Sequence, residues 1–174
     1  MTASLVATII GRDRPGLVES VSDVVAEHGG NWLESRMAQM AGQFAGILRI
    51  EVDGDRRDAL AAALVGLSSG GLRVVVEPAD DVPEEPGPRS VGLEVLGADR
   101  KGIVRQIAHA IAARGVNVVE LETEVRSAPM SGELLFAASA RLEVPAGASL
   151  ADLRRDLERI ASDLMVDVTV EDEA

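Results

Sequence analysis

The chain repeats itself. Residues 11–34 read GRDRPGLVESVSDVVAEHGGNWLE, and residues 97–120 read GADRKGIVRQIAHAIAARGVNVVE. At a constant offset of 86, nine of these 24 positions are identical: Gly11/Gly97, Asp13/Asp99, Arg14/Arg100, Gly16/Gly102, Val18/Val104, Ala26/Ala112, Gly29/Gly115, Asn31/Asn117 and Glu34/Glu120. Most other positions exchange one apolar residue for another, such as Leu17/Ile103, Val21/Ile107 and Val25/Ile111. A repeat of this length is a duplicated domain rather than a short solenoid unit. The chain is therefore expected to hold two small domains, each of roughly 80–85 residues and near the lower end for independent stability. The halves are expected to pack on each other or on a second chain.

The boundary has its own composition. Residues 78–90 (PADDVPEEPGPRS) hold four of the seven prolines and four acidic residues. No core-forming periodicity survives there, so the segment reads as an extended, solvated linker. The first domain is then 1–77 and the second 91–174.

Both halves follow one plan. A β-rich run, Ser4–Ile10 or Val91–Leu96, leads through a glycine-containing turn into a helix. The helix carries Leu17, Val18, Val21, Val24 and Val25, or Ile103, Val104, Ile107 and Ile111, at helical spacing. Gly29-Gly30 and Gly115 stop these helices. Two strands with a period of two follow. Val119, Leu121, Thr123 and Val125 alternate with Glu120, Glu122, Glu124 and Arg126; Leu134, Phe136, Ala138, Ala140 and Leu142 come next. Phe44, Gly46, Leu48, Ile50 and Val52 repeat the pattern in the first half, one face buried and one wet. Phe44 and Phe136 align if the second hairpin is six residues longer, with the insertion in Arg126–Gly132.

A second helix closes each half, Arg56–Leu67 capped by Asp55, and one capped by Ser149 that carries Leu150, Leu153, Leu157, Ile160 and Leu164. The last strands are Leu72–Glu77 and Met165–Val170. The order β-α-β-β-α-β, twice, predicts an α+β fold of two ferredoxin-like domains, each an antiparallel sheet with its helices on one face. Val6, Ile10, Ile47 and Val75 then lie on the open face, which needs a partner sheet, helix or subunit. Side-by-side packing into one continuous sheet would cover both that face and the strand edges.

With 47% hydrophobic but only 2% aromatic residues, the core must be aliphatic. A net charge of −12 argues against direct nucleic-acid binding, which needs cations to neutralise phosphates, and against an anionic membrane surface. The chain has no cysteine, hence no disulfide, thiolate nucleophile or cysteine metal site. Met1–Ile10 lacks the basic region of a signal peptide, and no apolar run is long enough to cross a membrane. A cytoplasmic protein without cofactors is the expectation.

Chemistry is expected at the duplicated loop, Gly11-Arg12-Asp13-Arg14-Pro15-Gly16 and Gly97-Ala98-Asp99-Arg100-Lys101-Gly102. It precedes a helix start, where free N–H groups and the positive dipole end suit a carboxylate or phosphate. Gly16 and Gly102 let a ligand or backbone approach closely. Asp13 and Asp99 either cap the helix or hold a ligand ammonium group. Arg14 could bind a carboxylate. Asn31 and Asn117 are either turn residues or amides that donate to a carboxylate and accept from an ammonium.

D-R-P-G, an apolar helix and G-G-N at the second strand resemble the ACT domain, and the match covers nearly the whole chain as two copies. These are small ferredoxin-like modules that bind amino acids and regulate enzymes or transcription. The resemblance places ligand at interfaces between paired modules and implicates Asp13, Pro15, Gly16 and Asn31, with Asp99, Gly102 and Asn117. The second copy has Lys101 where the family prefers proline, which makes its loop less rigid. A free-standing pair of such modules is most similar to the glycine cleavage system transcriptional repressor group. That implies an amino-acid sensor, for glycine or serine, acting through a transcription regulator or metabolic enzyme, and a homodimer.

Two other readings compete. Catalysis lacks a motif: there is no G-x-S-x-G, H-E-x-x-H or Walker loop. His28 and His109 do not align in the repeat, and the Glu120/Glu122/Glu124 row reads as a solvated strand face rather than a cation site. The chain is expected not to be an enzyme. A ligand-independent oligomerisation module is the second alternative, with the loop serving only as a turn. Trp32, the lone tryptophan, reads as interface packing.

Overall fold

Strand β1 (Thr2–Arg12) buries every second residue, Leu5, Ala7, Ile9 and Gly11, because successive side chains point to opposite sheet faces. The computed structural model describes residues 1–79 and 88–172. The chain divides into two compact units, Met1–Pro83 and Glu84–Ala174. Of the linker expected over 78–90, residues 80–87 lie outside the described residues, while Pro78 ends one strand and Arg89 and Ser90 begin another.

In the first unit β1 is followed by α1 (Leu17–Glu27), β2 (Asn31–Met40), β3 (Gln43–Asp53), α2 (Arg57–Gly66) and β4 (Leu72–Pro78), with a 3-10 turn at Leu67–Gly70. The sheet order is β2-β3-β1-β4, antiparallel throughout. The second unit repeats this with β5 (Arg89–Ala98), α3 (Ile103–Ala113), β6 (Asn117–Ser127), β7 (Leu134–Val144), α4 (Leu150–Leu164) and β8 (Val166–Asp172), in the order β6-β7-β5-β8. The expected α+β, ferredoxin-like architecture is present twice.

Each unit has its own aliphatic core. Leu17, Val21 and Val25 of α1 and Leu60 and Leu64 of α2 meet Leu5, Ile9, Leu48 and Ile50 of the sheet. Ile103 and Ile107 of α3 and Leu153 and Leu157 of α4 meet Val91, Leu93, Phe136 and Leu142. Val18 and Val104, read as core-facing, are exposed instead. Both helices end in the same way: Gly29 and Gly30 donate to the carbonyls of Ala26 and Val25, and Gly115 and Val116 donate to those of Ala112 and Ile111.

Phe44 pairs with Gly11 and Phe136 with Gly97, so the two phenylalanines hold one register position, as the longer second hairpin requires. The first hairpin turns through Ala41 and Gly42, both at positive φ (50° and 79°). The open face is as expected: Ile10, Ile47 and Val75 are exposed, on the side of the sheet away from the helices.

Several local readings need correction. Asp55 does not cap α2, whose N-cap is Arg56, without a side-chain bond. Ser149 does cap α4, accepting from the Asp152 N–H at 3.2 Å. Val119 is not part of the inward row of β6. A bulge between Val118 and Glu120 leaves it over, and the same bulge lies between Trp32 and Glu34 in β2. Nor is the apolar side of β6 buried: Leu121 is 53% and Val125 51% exposed. This edge strand lies beyond the cover of α3 and α4, so alternation marked its face without giving it a cover.

Candidate functional site

The two β-strand-to-helix loops share one geometry. Gly16 and Gly102 occupy the N-cap of α1 and α3 at φ 88° and 94°, a left-handed conformation that costs a side-chain-bearing residue about 1–2 kcal/mol. Lys101 in place of Pro15 leaves that conformation unchanged. At neither helix does a side chain cap the first turn. Asp13 and Asp99 therefore do not cap. Their backbone N–H groups instead extend the strands, donating to the carbonyls of Gly42 (2.9 Å) and Leu134 (2.8 Å). Their side chains are exposed, as are Pro15, Gly16, Lys101 and Gly102. Nothing lies within 4 Å of a Cβ placed at Gly102, whereas one at Gly16 would sit 3.7 Å from Glu19 Oε2, so the second helix start has the more open approach.

The kept arginine has a structural partner. Arg14 Nη2 donates to the Gly70 carbonyl at 2.7 Å, tying the loop to the turn before β4. Arg100 Nη2 lies 4.0 Å from Met165 Sδ, at the matching turn before β8. The first glycine of the loop has a packing reason. A Cβ on Gly11 would sit 2.8 Å from the Gly71 oxygen, and one on Gly97 would sit 2.6 Å from Val166 Cγ1.

The asparagines are not brought to these loops within a unit. Asn31 pairs with Glu51, and Glu51 with Ser4, near the start of β1, whereas the loop leaves its far end. The seven steps along the strand from Ser4 to Gly11 span about 23 Å at strand rise. Asn117 likewise pairs with Glu143, opposite Ser90, at the far end from Gly97. Both asparagines are exposed first residues of their strands.

Sequence reasoning missed a shallow apolar crevice between α3 and β6, lined by Val104, Ala108, Ile111, Val118, Leu121 and Phe136 among others. The matching place in the first unit carries Trp32, half-buried against the core, where the second has Val118. The signal was the Trp32/Val118 exchange inside the repeat. Among the described residues no group of His, Asp and Glu side chains converges to hold a metal ion. His28 donates from Nδ1 to the Val24 carbonyl of its own helix at 2.9 Å. No described helix is long and apolar enough to cross a membrane.

Comparison with known proteins agrees with this architecture. Residues 3–76 and residues 86–163 each match a family model described as the ACT domain. The phosphoserine phosphatase of Mycobacterium tuberculosis is 32% identical over 97% of this chain, which spans only 41% of that protein's length. The glycine cleavage system transcriptional repressor of Escherichia coli is 26% identical, over 92% of this chain and 85% of the repressor. A crystal structure of an unknown protein from Galdieria sulphuraria is 31% identical, covers all of both chains and superposes with a TM-score of 0.86. The chain belongs to the ACT domain family and carries two such domains in tandem.

Proposed function

We propose that this protein is an amino-acid-binding regulator, a sensor whose ligand state is read by a protein partner. The observation that carries it is the pair of uncapped helix starts behind Gly16 and Gly102, kept in both copies and open to solvent. An amino acid offers a carboxylate for those N–H groups and an ammonium for Asp13 or Asp99. Asn31 and Asn117 would complete the polar set, with a complete site taking its loop and its asparagine from two different modules. The likeness to a glycine cleavage system repressor favours glycine or serine as ligand, and a transcription regulator or metabolic enzyme as the partner. A net charge of −12 supports action through a protein rather than by direct DNA contact. The role is regulatory rather than catalytic.

Titration calorimetry with glycine and with serine tests the reading. Saturable binding is expected, weakened in Asp13→Ala and in Asn31→Ala. Trp32 adjoins Asn31 and, with no tyrosine in the chain, dominates the intrinsic emission, so its fluorescence should respond to the same ligand. The uncovered apolar side of β6 favours a second reading, a ligand-independent interaction module. That reading predicts self-association or partner capture with no heat of amino-acid binding.

A further inference from the structure

The outer face of the first sheet ends, beside the first loop, in an open concavity lined by Ile10, Arg12, Gln43, Ser68, Gly71 and Arg73. Strand register explains the grouping. Arg73 lies opposite Ile10 and Gln43 opposite Arg12, while Ile10 and Arg12 sit two residues apart on β1 and so share a face. Arg12 and Arg73 are thus diagonal neighbours across β1 and β4, about 7–8 Å apart. Among the described residues neither arginine side chain has an ion pair or hydrogen bond, nor does the Gln43 side chain. The nearest row of this face that carries carboxylates is Glu77-Val6-Arg49-Glu34, four residues along the strands from Arg73 and Ile10, or about 13 Å. In that row Glu34 is already engaged by Arg49. The turn that walls the concavity, Ser68–Gly71, is held by the bond from Arg14 to the Gly70 carbonyl.

The second unit has none of this chemistry. The same register puts Ala98 at the place of Arg12, Leu135 at that of Gln43, Asp167 at that of Arg73 and Met165 at that of Gly71. Nothing lies within 4 Å of a Cβ placed at Gly71, so the concavity is open where the second unit carries a methionine. We propose that this concavity binds the phosphate group of a small molecule, between the guanidinium groups of Arg12 and Arg73 and with the Gln43 amide as a further donor. Like charges side by side on a sheet are destabilising, and an anion shared by the two arginines removes that repulsion. A carboxylate neutralises one of them. A phosphate monoester carries about −1.5 to −2 charges at neutral pH and three acceptor oxygens, enough for two guanidinium forks and an amide. The ligand differs in class from the amino acid proposed above and sits on the sheet face opposite the helices, so either site can exist without the other.

Titration calorimetry of the intact chain with inorganic phosphate, at an ionic strength held constant with chloride, tests this site. Saturable binding at one site per chain is expected. Arg12→Gln and Arg73→Gln should each weaken it at least about tenfold, or about 1.4 kcal/mol. Arg105→Gln removes the same charge from an exposed position on α3 and should leave it unchanged. All three sites are exposed, and circular dichroism confirms that each variant is folded. Succinate, a dianion of two carboxylates, should bind more weakly than phosphate. Arg12→Gln and Arg73→Gln should also leave any glycine or serine response intact, which separates this site from the amino-acid site. The absence of saturable phosphate binding at millimolar concentration, binding that survives both site variants, or an equal loss in Arg105→Gln would each overturn the proposal. Tighter binding of succinate than of phosphate would overturn the assignment to a phosphate group.

Discussion

Arg14 spans from the first loop to the Gly70 carbonyl at 2.7 Å, and this bond joins the start of α1 to the entry of β4. The arginine kept in both copies is thus placed to hold the loop rather than to reach outward. Arg14→Ala should lower stability by about 0.5–1 kcal/mol, the low end for a solvent-accessible hydrogen bond. Urea unfolding measures the loss. Any ligand-induced stabilisation should survive it. Loss of ligand response with unchanged stability would instead make Arg14 a ligand contact.

Gly16→Ala and Gly102→Ala should each cost about 1–2 kcal/mol, because both sites sit at positive φ. Gly66→Ala is the control: its φ is −59° and nothing lies within 4 Å of the added carbon, so it should be neutral or stabilising by up to about 1 kcal/mol. Gly16→Val carries the same backbone cost, so it cannot block ligand approach while leaving the fold undisturbed. Thermal melts of the three alanine variants separate conformational cost from steric cost.

Ser149→Ala should destabilise the second unit by about 1 kcal/mol through loss of the α4 cap. Asp55→Ala should change stability by less than about 0.5 kcal/mol, as for a surface position without a cap bond. Denaturant midpoints of the two variants are the measurement.

Ala41 holds φ 50° in the two-residue turn between β2 and β3. Ala41→Gly should raise stability by about 0.5–1 kcal/mol, the part of the left-handed penalty that glycine's extra unfolded-state freedom leaves. A lowered melting temperature would contradict the turn geometry.

Much of this was legible in the residues. The repeat, the period of two in β3 and β7, and the glycines ending α1 and α3 defined two βαββαβ units before any coordinate. What escaped has a common cause: local pattern carries side-chain direction but not cover. Leu121 and Val125 alternate as a buried face should, yet the helices do not reach over β6. Val119 fits the alternation and is displaced by a bulge that no local signal marks. At the site, identity between the copies singled out Asp13, Arg14, Gly16 and Asn31, but conserved spacing could not tell a ligand contact from a tie such as Arg14–Gly70. Nor could it reveal that Asn31 and the loop lie at opposite ends of one sheet, since that depends on the strand register.

The most direct test of the sensor account is a thermal-shift screen of the intact protein against the twenty amino acids. A ligand bound only to the folded state adds about 2.7 kcal/mol at a hundredfold excess over its dissociation constant. The account predicts a selective, concentration-dependent rise in melting temperature for one or a few small amino acids, with glycine or serine among them, and its loss in Asn31→Ala or Asn117→Ala. A folded protein whose melting temperature is unmoved by every amino acid at millimolar concentration would contradict it.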